Sequence, residues 1–450
     1  MTNKFETYSF SGESINCYGL EIVRRRLKDL EYTEEPFSLQ TENPVLFSLY
    51  WPEQIFDFLK FKFIKEMENK RVIVGGNTAT ANPSILASFG VDIYLGDGET
   101  ITGLNDKSIV NINTTNPVNP NVSEKIHPVV FEDVQQNRRT FIEISRGCAN
   151  KCSFCQYAWL KPYRECSPVD IKECVLRSKT KSIRAFSADR FQHHQYDKIS
   201  ELFDKYGKND TSSDVSIHFL LKNPQYLKCI KKVRTGVEGL SYKLRRLVGK
   251  KFTNEKMLEF TKLVVDSGIK CFDWYMIYGL PEESAEDYEE FTELLRSIDE
   301  IVPLGYTIAI HWNAFTPSPQ TPFQWEAPAF EYKYKREFMK LMSLKLKNLK
   351  IMHKPKLSSD ETILKRMLCI RAGEKSKSLI SFVTKNQTAF SKAGFLEACR
   401  REFQNNEGYD LLSKLPTTHL FPWDKYVVYD KEKMITVDKS RRKFLNDLPL

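Results

Sequence analysis

A short apolar, β-leaning run that ends in glycines and leads into a helical pattern recurs along this chain and constrains its fold more than any other feature. Val45 to Tyr50 is such a run, followed by Pro52 at the start of a helical pattern of Ile55, Phe56, Leu59 and Phe63. Arg71 to Val74 runs into Gly75-Gly76, and Asn82-Pro83 opens a short helix ending near Phe89-Gly90. Asp92 to Leu95 runs into Gly96-Asp97-Gly98-Glu99. Strands that alternate with helices and stop at glycine turns predict an α/β protein with a Rossmann-like, doubly wound parallel sheet. Residues 105–122 carry six asparagines and two prolines without apolar periodicity and read as a linker or surface loop. The first domain is therefore expected over 1–125.

From Thr140 the alternation resumes, with expected strands at Phe141–Ser145, Ile183–Ser187, Val215–Leu220, Lys232–Gly236, Phe272–Ile277 and Thr307–Ala314. Ser284-x-x-Asp287 has the form of a capping box, and Thr253 precedes Met257, Phe260 and Val264 on one helical face. Six β/α units over 138–330 fit a partial (β/α)6 TIM-type barrel, in which chemistry gathers in the loops that follow the strands. Beyond residue 330 the pattern changes to Lys-rich helical stretches, Glu331 to Leu349, and mixed segments. We expect a smaller C-terminal α+β domain over 331–450.

The composition, 41% hydrophobic and 28% charged, excludes a disordered or collagen-like chain. No stretch approaches a membrane span and the first ten residues lack a signal-peptide core, so a cytoplasmic protein without membrane attachment is expected. The net charge of +9 is spread along the chain. It describes either a mixed solvated surface or a mild attraction for an anionic partner such as RNA.

Ten cysteines are too sparse for a disulfide framework. Three of them, Cys148, Cys152 and Cys155, stand in a loop just after the first barrel strand, behind Arg146-Gly147. That spacing reads as a metal site. Zinc would ordinarily recruit a fourth Cys or His, and no second pair follows. An iron–sulfur cube held by three thiolates has one iron left open. Cys166 and Cys174 lie nearby and read as buried structural thiols.

Cys148, Cys152, Phe154 and Cys155 resemble the CxxxCxΦC signature of radical S-adenosylmethionine (SAM) enzymes, and the resemblance runs over about residues 40–330. It implies a [4Fe-4S] cluster on the three cysteines and SAM on the open iron. It also implies reductive cleavage to a 5′-deoxyadenosyl radical, and an electron donor such as flavodoxin or ferredoxin. At the family's SAM-binding positions this chain has Ser187-Ala188-Asp189-Arg190, in place of the usual Gly-Gly-Glu turn, and Thr235-Gly236-Val237-Glu238 with Lys250 and Thr253 following. By resemblance Ser187, Asp189, Gly236 and Glu238 contact SAM. Read alone, Asp189 is equally an acidic turn residue and Glu238 a surface ion-pair partner. Tyr278-Gly279-Leu280-Pro281 matches the fifth-strand turn.

The glycines Gly75, Gly76, Gly96 and Gly98 resemble those of the cobalamin-binding domain that precedes many radical SAM barrels; glycines also close tight turns with no ligand. The D-x-H-x-x-G loop that supplies a cobalt-binding histidine is missing, so any cobalamin is expected to lack a histidine ligand, and methyl transfer through it is the reaction the resemblance favours. A methylthiotransferase would bring three more N-terminal cysteines, whereas only Cys17 precedes the cluster here. The segment from His311 to Trp325 resembles the barrel-closing segment of such proteins, with Trp312 and Trp325 expected in aromatic packing. The His193-His194 pair reads as solvent-facing. The alternative to an enzyme is an RNA-binding or RNA-modifying protein with a structural cluster, and the substrate stays open.

Overall fold

The computed structural model describes residues 3–9, 14–128, 130–133, 139–354, 358–387 and 394–446. The N-terminal sheet contains β1 (Lys4–Thr7), β2 (Thr33–Glu35), β3 (Val45–Ser48), β4 (Val72–Gly75), β5 (Asp92–Tyr94) and β6 (Ile109–Val110). Their spatial order is β2-β1-β3-β4-β5-β6, parallel except for β6. The pleat sorts the side chains. Leu46, Ile73 and Tyr94 face the helix Ser14–Asp29 with Phe5, Leu20 and Leu27, while Val45, Phe47, Val72, Val74 and Ile93 join the main core on the other side. Strand order reverses between β1 and β3, so a ligand crevice belongs outside the carboxyl ends of these strands.

The structure departs from the sequence reading in this domain at both ends. β1, the helix Ser14–Asp29 and β2 precede the first element recognised from the sequence. The asparagine-rich segment supplies β6, and its Asn121 and Val118 bridge to Gly96 and Val427. Short strand pairings of this kind lie in the backbone and leave no apolar periodicity to read.

The second unit opens with β7 (Val130–Asp133), antiparallel to β8 (Arg139–Glu143). A clip of β9 (Ser145–Arg146) with β10 (Arg164–Glu165) follows, then β11 (Ser182–Phe186), β12 (Asn209–Asp210), β13 (Val233–Glu238), β14 (Cys271–Tyr278), β15 (Tyr306–Ala314) and β16 (Leu349–Lys354). β8, β11 and β12 form one parallel set; β13 to β16 form another. A parallel bridge from Asp214 to Arg234 links the two into an open, barrel-like array.

Two expectations are corrected here. Val215–Leu220 is not a strand: Ser216 Oγ accepts a hydrogen bond from Phe219 N (3.1 Å) and caps the helix Ile217–Lys222, whose Ile217 and Leu220 are buried one turn apart. The parallel sheet also does not stop at residue 330, because β16 pairs with β15 over six residues. What remains beyond it is helical among the described residues rather than α+β, and ends in the helix Lys431–Asn446. Elsewhere the capping signals read as expected: Ser284 N donates to Asp287 Oδ2 (2.7 Å) ahead of the helix Ala285–Ile301, and Thr253 caps Asn254–Asp266. No described helix is long and apolar enough to cross a membrane.

Candidate active site

The β9/β10 clip closes the base of a loop that carries all three clustered cysteines. Cys148 and Cys152 are buried and Cys155 half-buried. Cys155 N donates to Cys152 O (3.2 Å), Ala158 N donates to Cys155 O (3.1 Å), and Trp159 Nε1 donates to Cys152 O (2.9 Å), so hydrogen-bonded turns hold the three cysteines on one loop. Gln192, which the sequence did not single out, donates from Nε2 to Cys148 Sγ (3.5 Å) and accepts from Ala149 N (3.0 Å). Burial pushes the Cys155 thiol up to about 12, and charge on Cys152 adds to it; Cys152 is raised by burial, against the pull of Lys250. Three thiolates sharing one buried loop repel one another, and a bound metal relieves that repulsion. The donor set therefore fits a metal centre. Phe154 packs against the core beneath the loop.

Beside the loop is a cavity of about 340 Å³. Asn150, from between the first two cysteines, lines it with Asp189, Arg234, Gly236, Glu238 and Lys250. Ser187 lies at the end of β11, outside this lining. Asp189 accepts from Phe191 N (3.1 Å) and caps the short turn after it; burial raises its carboxyl above the usual range. Glu238 holds φ = +69°, a left-handed backbone that costs a non-glycine residue energy. Its carboxylate folds back over Gly236, where any Cβ would overlap it. Lys250 Nζ sits 4.0 Å from Glu238 Oε1. Burial raises Glu238 although Lys250 opposes it, and the charges of Cys152 and Glu238 raise Lys250 although burial opposes them. Three carboxylates (Asp189, Asp214 and Glu238) and two cations (Arg234 and Lys250) in one cavity suit the ammonium and carboxylate of an amino-acid moiety.

A second cavity, of about 130 Å³, lies at the switch point of the N-terminal sheet. Gly75, Gly76, Gly96 and Gly98 all line it, opposite Ile22 and Val23 of the first helix and Glu143, Arg146 and Tyr157 of the barrel unit. Gly76 (φ +97°) and Gly96 (φ +130°) also serve the fold itself, since a Cβ there would overlap the backbone of Leu49 and of Asn121. Tyr50 lines this cavity, and burial, with charge on Cys155 adding to it, raises its phenol to about 12. Its apolar walls fit a flat ring better than a whole corrin. His127 is far from this lining, exposed and 3.4 Å from Asp170.

The remaining candidates take structural roles. His193 is buried, which corrects the solvent-facing reading: its Nε2 contacts Cys166 O (2.9 Å) and its Nδ1 accepts from Gln195 N (3.1 Å). Glu165, His193 and His194 cluster closely enough to suggest a metal, but both His193 nitrogens are used by the backbone. Cys166 and Cys174 are buried, and Cys174 Sγ lies 3.4 Å from Pro128 O. Trp312 packs between Phe291 and Phe338, and Trp325 beside Phe421.

The fold and the loop define a partial β/α-barrel protein with a three-thiol centre behind a doubly wound domain. Residues 142–295 match the model of the Radical SAM superfamily. Among curated proteins, one from Methanocaldococcus jannaschii named provisionally as a methylthiotransferase is 27% identical over 307 residues, 58% of this chain and 68% of that protein. An uncharacterized protein of the same organism is 22% identical over 43% of this chain and 44% of its own length. Among solved structures, the apo form of the cobalamin-dependent SAM radical enzyme OxsB matches with TM-score 0.52 and 15% identity. That match covers 67% of this chain but only 52% of OxsB. The form with aqua-cobalamin and SAM matches with the same score at 12% identity, over 99% of this chain and 79% of that one.

Proposed function

We propose that this chain is a radical SAM enzyme in which Cys148, Cys152 and Cys155 hold a [4Fe-4S] cluster and the adjoining cavity binds SAM. One observation carries the reading: Asn150, inside the cysteine loop, lines the same cavity as Asp189, Gly236 and Glu238. When loaded, cluster and SAM together supply reductive cleavage of the sulfonium to methionine and a 5′-deoxyadenosyl radical, which takes a hydrogen atom from the substrate. The chain's own residues position and shield. Glu238 and Asp189 accept hydrogen bonds from the ammonium, Lys250 neutralises the carboxylate, and the parallel array keeps bulk water from the reacting carbon. A one-electron donor such as flavodoxin or ferredoxin provides the electron, in keeping with a cytoplasmic setting.

The reading extends to the cavity at the switch point, which we assign to the nucleotide tail of a cobalamin whose cobalt has no histidine from this domain. The four lining glycines support it, as does the cobalamin dependence of OxsB. Bound cobalamin would supply a methyl carrier, making methyl transfer the favoured outcome. Methylthio transfer is the less favoured outcome, because only Cys17 stands ahead of the three clustered cysteines in this sequence.

Anaerobic reconstitution should load about four irons and four sulfides per chain. Dithionite and SAM should then release 5′-deoxyadenosine. A protein that loads a single zinc, or a cluster whose spectrum ignores SAM, would refute the assignment.

A further inference from the structure

The last described helix reaches back to the thiol loop. Arg441, three turns into Lys431–Asn446, donates from Nη2 to Lys151 O (2.8 Å) and from Nη1 to Val248 O (3.2 Å) and Ser153 Oγ. Lys151 and Ser153 flank Cys152, while Val248 lies two residues before Lys250 of the adjoining cavity. One planar guanidinium therefore ties the cysteine loop to the turn that presents Lys250, a geometry a lysine cannot reproduce.

The surroundings are built to hold it there. Ser153 is fully buried, with its N bonded to Val248 O (3.1 Å) and its Oγ to Leu247 O (3.3 Å). Gly249 (φ +96°) makes room for the side chain: a Cβ there would stand 2.5 Å from Arg441 Nη2. The helix is also fixed just beyond Arg441. Arg442 pairs with Glu326 (2.6 Å), and the Phe444 ring lies edge-on to Tyr242 and under Arg246.

We propose that Arg441 is a positioning residue for the metal centre: it pins the cysteine loop to the Val248–Lys250 turn and sets a permanent positive charge beside the thiolates. This rests on the cluster reading above. A fixed cation favours the more negative, reduced cluster, so the charge raises the reduction potential, while the three hydrogen bonds slow loss of iron.

The experiment compares Arg441→Met and Arg441→Lys with the parent after anaerobic reconstitution, reading iron retention against a ferrous chelator and midpoint potential by EPR-monitored titration. Arg441→Met should release iron at least about ten times faster than the parent, the worth of a single charged hydrogen bond, and titrate at a more negative potential. Arg441→Lys keeps the charge but not the fork, so it should release iron faster with its potential close to the parent's. Parent-like retention and potential in Arg441→Met overturn the proposal. If Arg441→Met does not fold, Arg441→Lys decides alone, and parent-like retention there overturns it. A parent that takes up no iron–sulfur cluster refutes the functional reading itself and is recognised before any variant is compared.

Discussion

Lys161 Nζ lies 2.7 Å from Asp97 Oδ1, and this buried contact joins the glycine turn after β5 to the segment that closes the cysteine loop. Asp97 also meets Arg164 (2.6 Å) and Arg146 (3.3 Å), and Arg146 in turn holds Glu99 (2.7 Å) and Glu143 (2.7 Å). Burial alone would raise the Asp97 carboxyl, but the three cations outweigh it and hold it well below the usual range. Removing one partner leaves uncompensated buried charge, so Asp97→Asn should cost about 3–5 kcal/mol. Urea denaturation at pH 7 measures it. Because the folded-state pKa is depressed, this contribution is complete above the unfolded value near 3.9 and fades as the pH falls below it. Parent and variant should therefore converge in stability in strong acid.

Glu283 titrates in the opposite sense. Burial pushes its carboxyl up to about 7, against hydrogen bonds from Tyr332, Gly279 N (2.8 Å), Leu280 N (3.2 Å) and Tyr288 (3.2 Å). A carboxyl raised on folding favours the fold at low pH and disfavours it as the pH climbs from about 4.5 toward 7. The parent should lose stability across that window, by up to about 3 kcal/mol. Glu283→Gln should flatten this loss, which melting temperatures at pH 5 and pH 8 will reveal.

Single Cys→Ala changes at 148, 152 and 155 should each abolish retention of a four-iron cluster and the release of 5′-deoxyadenosine. The same change at Cys174, which sits in a helix against Pro128, should leave iron content unchanged. Iron and sulfide assays on reconstituted protein distinguish the two groups.

Lys250→Met should weaken SAM binding to the reconstituted enzyme about tenfold or more, the usual worth of a charge-assisted hydrogen bond. Calorimetry on the anaerobic protein gives the affinity, and an unchanged Kd would move the SAM carboxylate away from Lys250.

Filling the small cavity tests its assignment to the nucleotide tail of cobalamin. Ile73 faces it from β4, and Ile73→Trp should prevent retention of hydroxocobalamin through gel filtration while leaving cluster loading intact. Absorbance of the eluted protein reports both chromophores.

How much of this was legible in the sequence differs from element to element. The Cys148–Cys155 spacing was legible as a candidate motif, because it is local and spans only eight residues. So were β3 to β5, β8, β11 and β13 to β15, because short apolar, β-leaning runs are read along the chain. The helix at Ile217–Lys222 was misread because its short apolar run fits either period until the Ser216 cap is seen. β16 was missed because its half-exposed residues carry no strand signal, and its place is fixed by hydrogen bonds to β15.

By itself the sequence determined which side chains stand in the candidate metal motif and where the N-terminal strands end in glycine. Only the tertiary structure decided that Gln192, Lys250 and Arg441 converge on the cysteine loop, and that His193 is spent on the backbone. Arg441 and Ser153 are 288 residues apart, and contacts at that range arise from packed surfaces meeting in space, which no local pattern records.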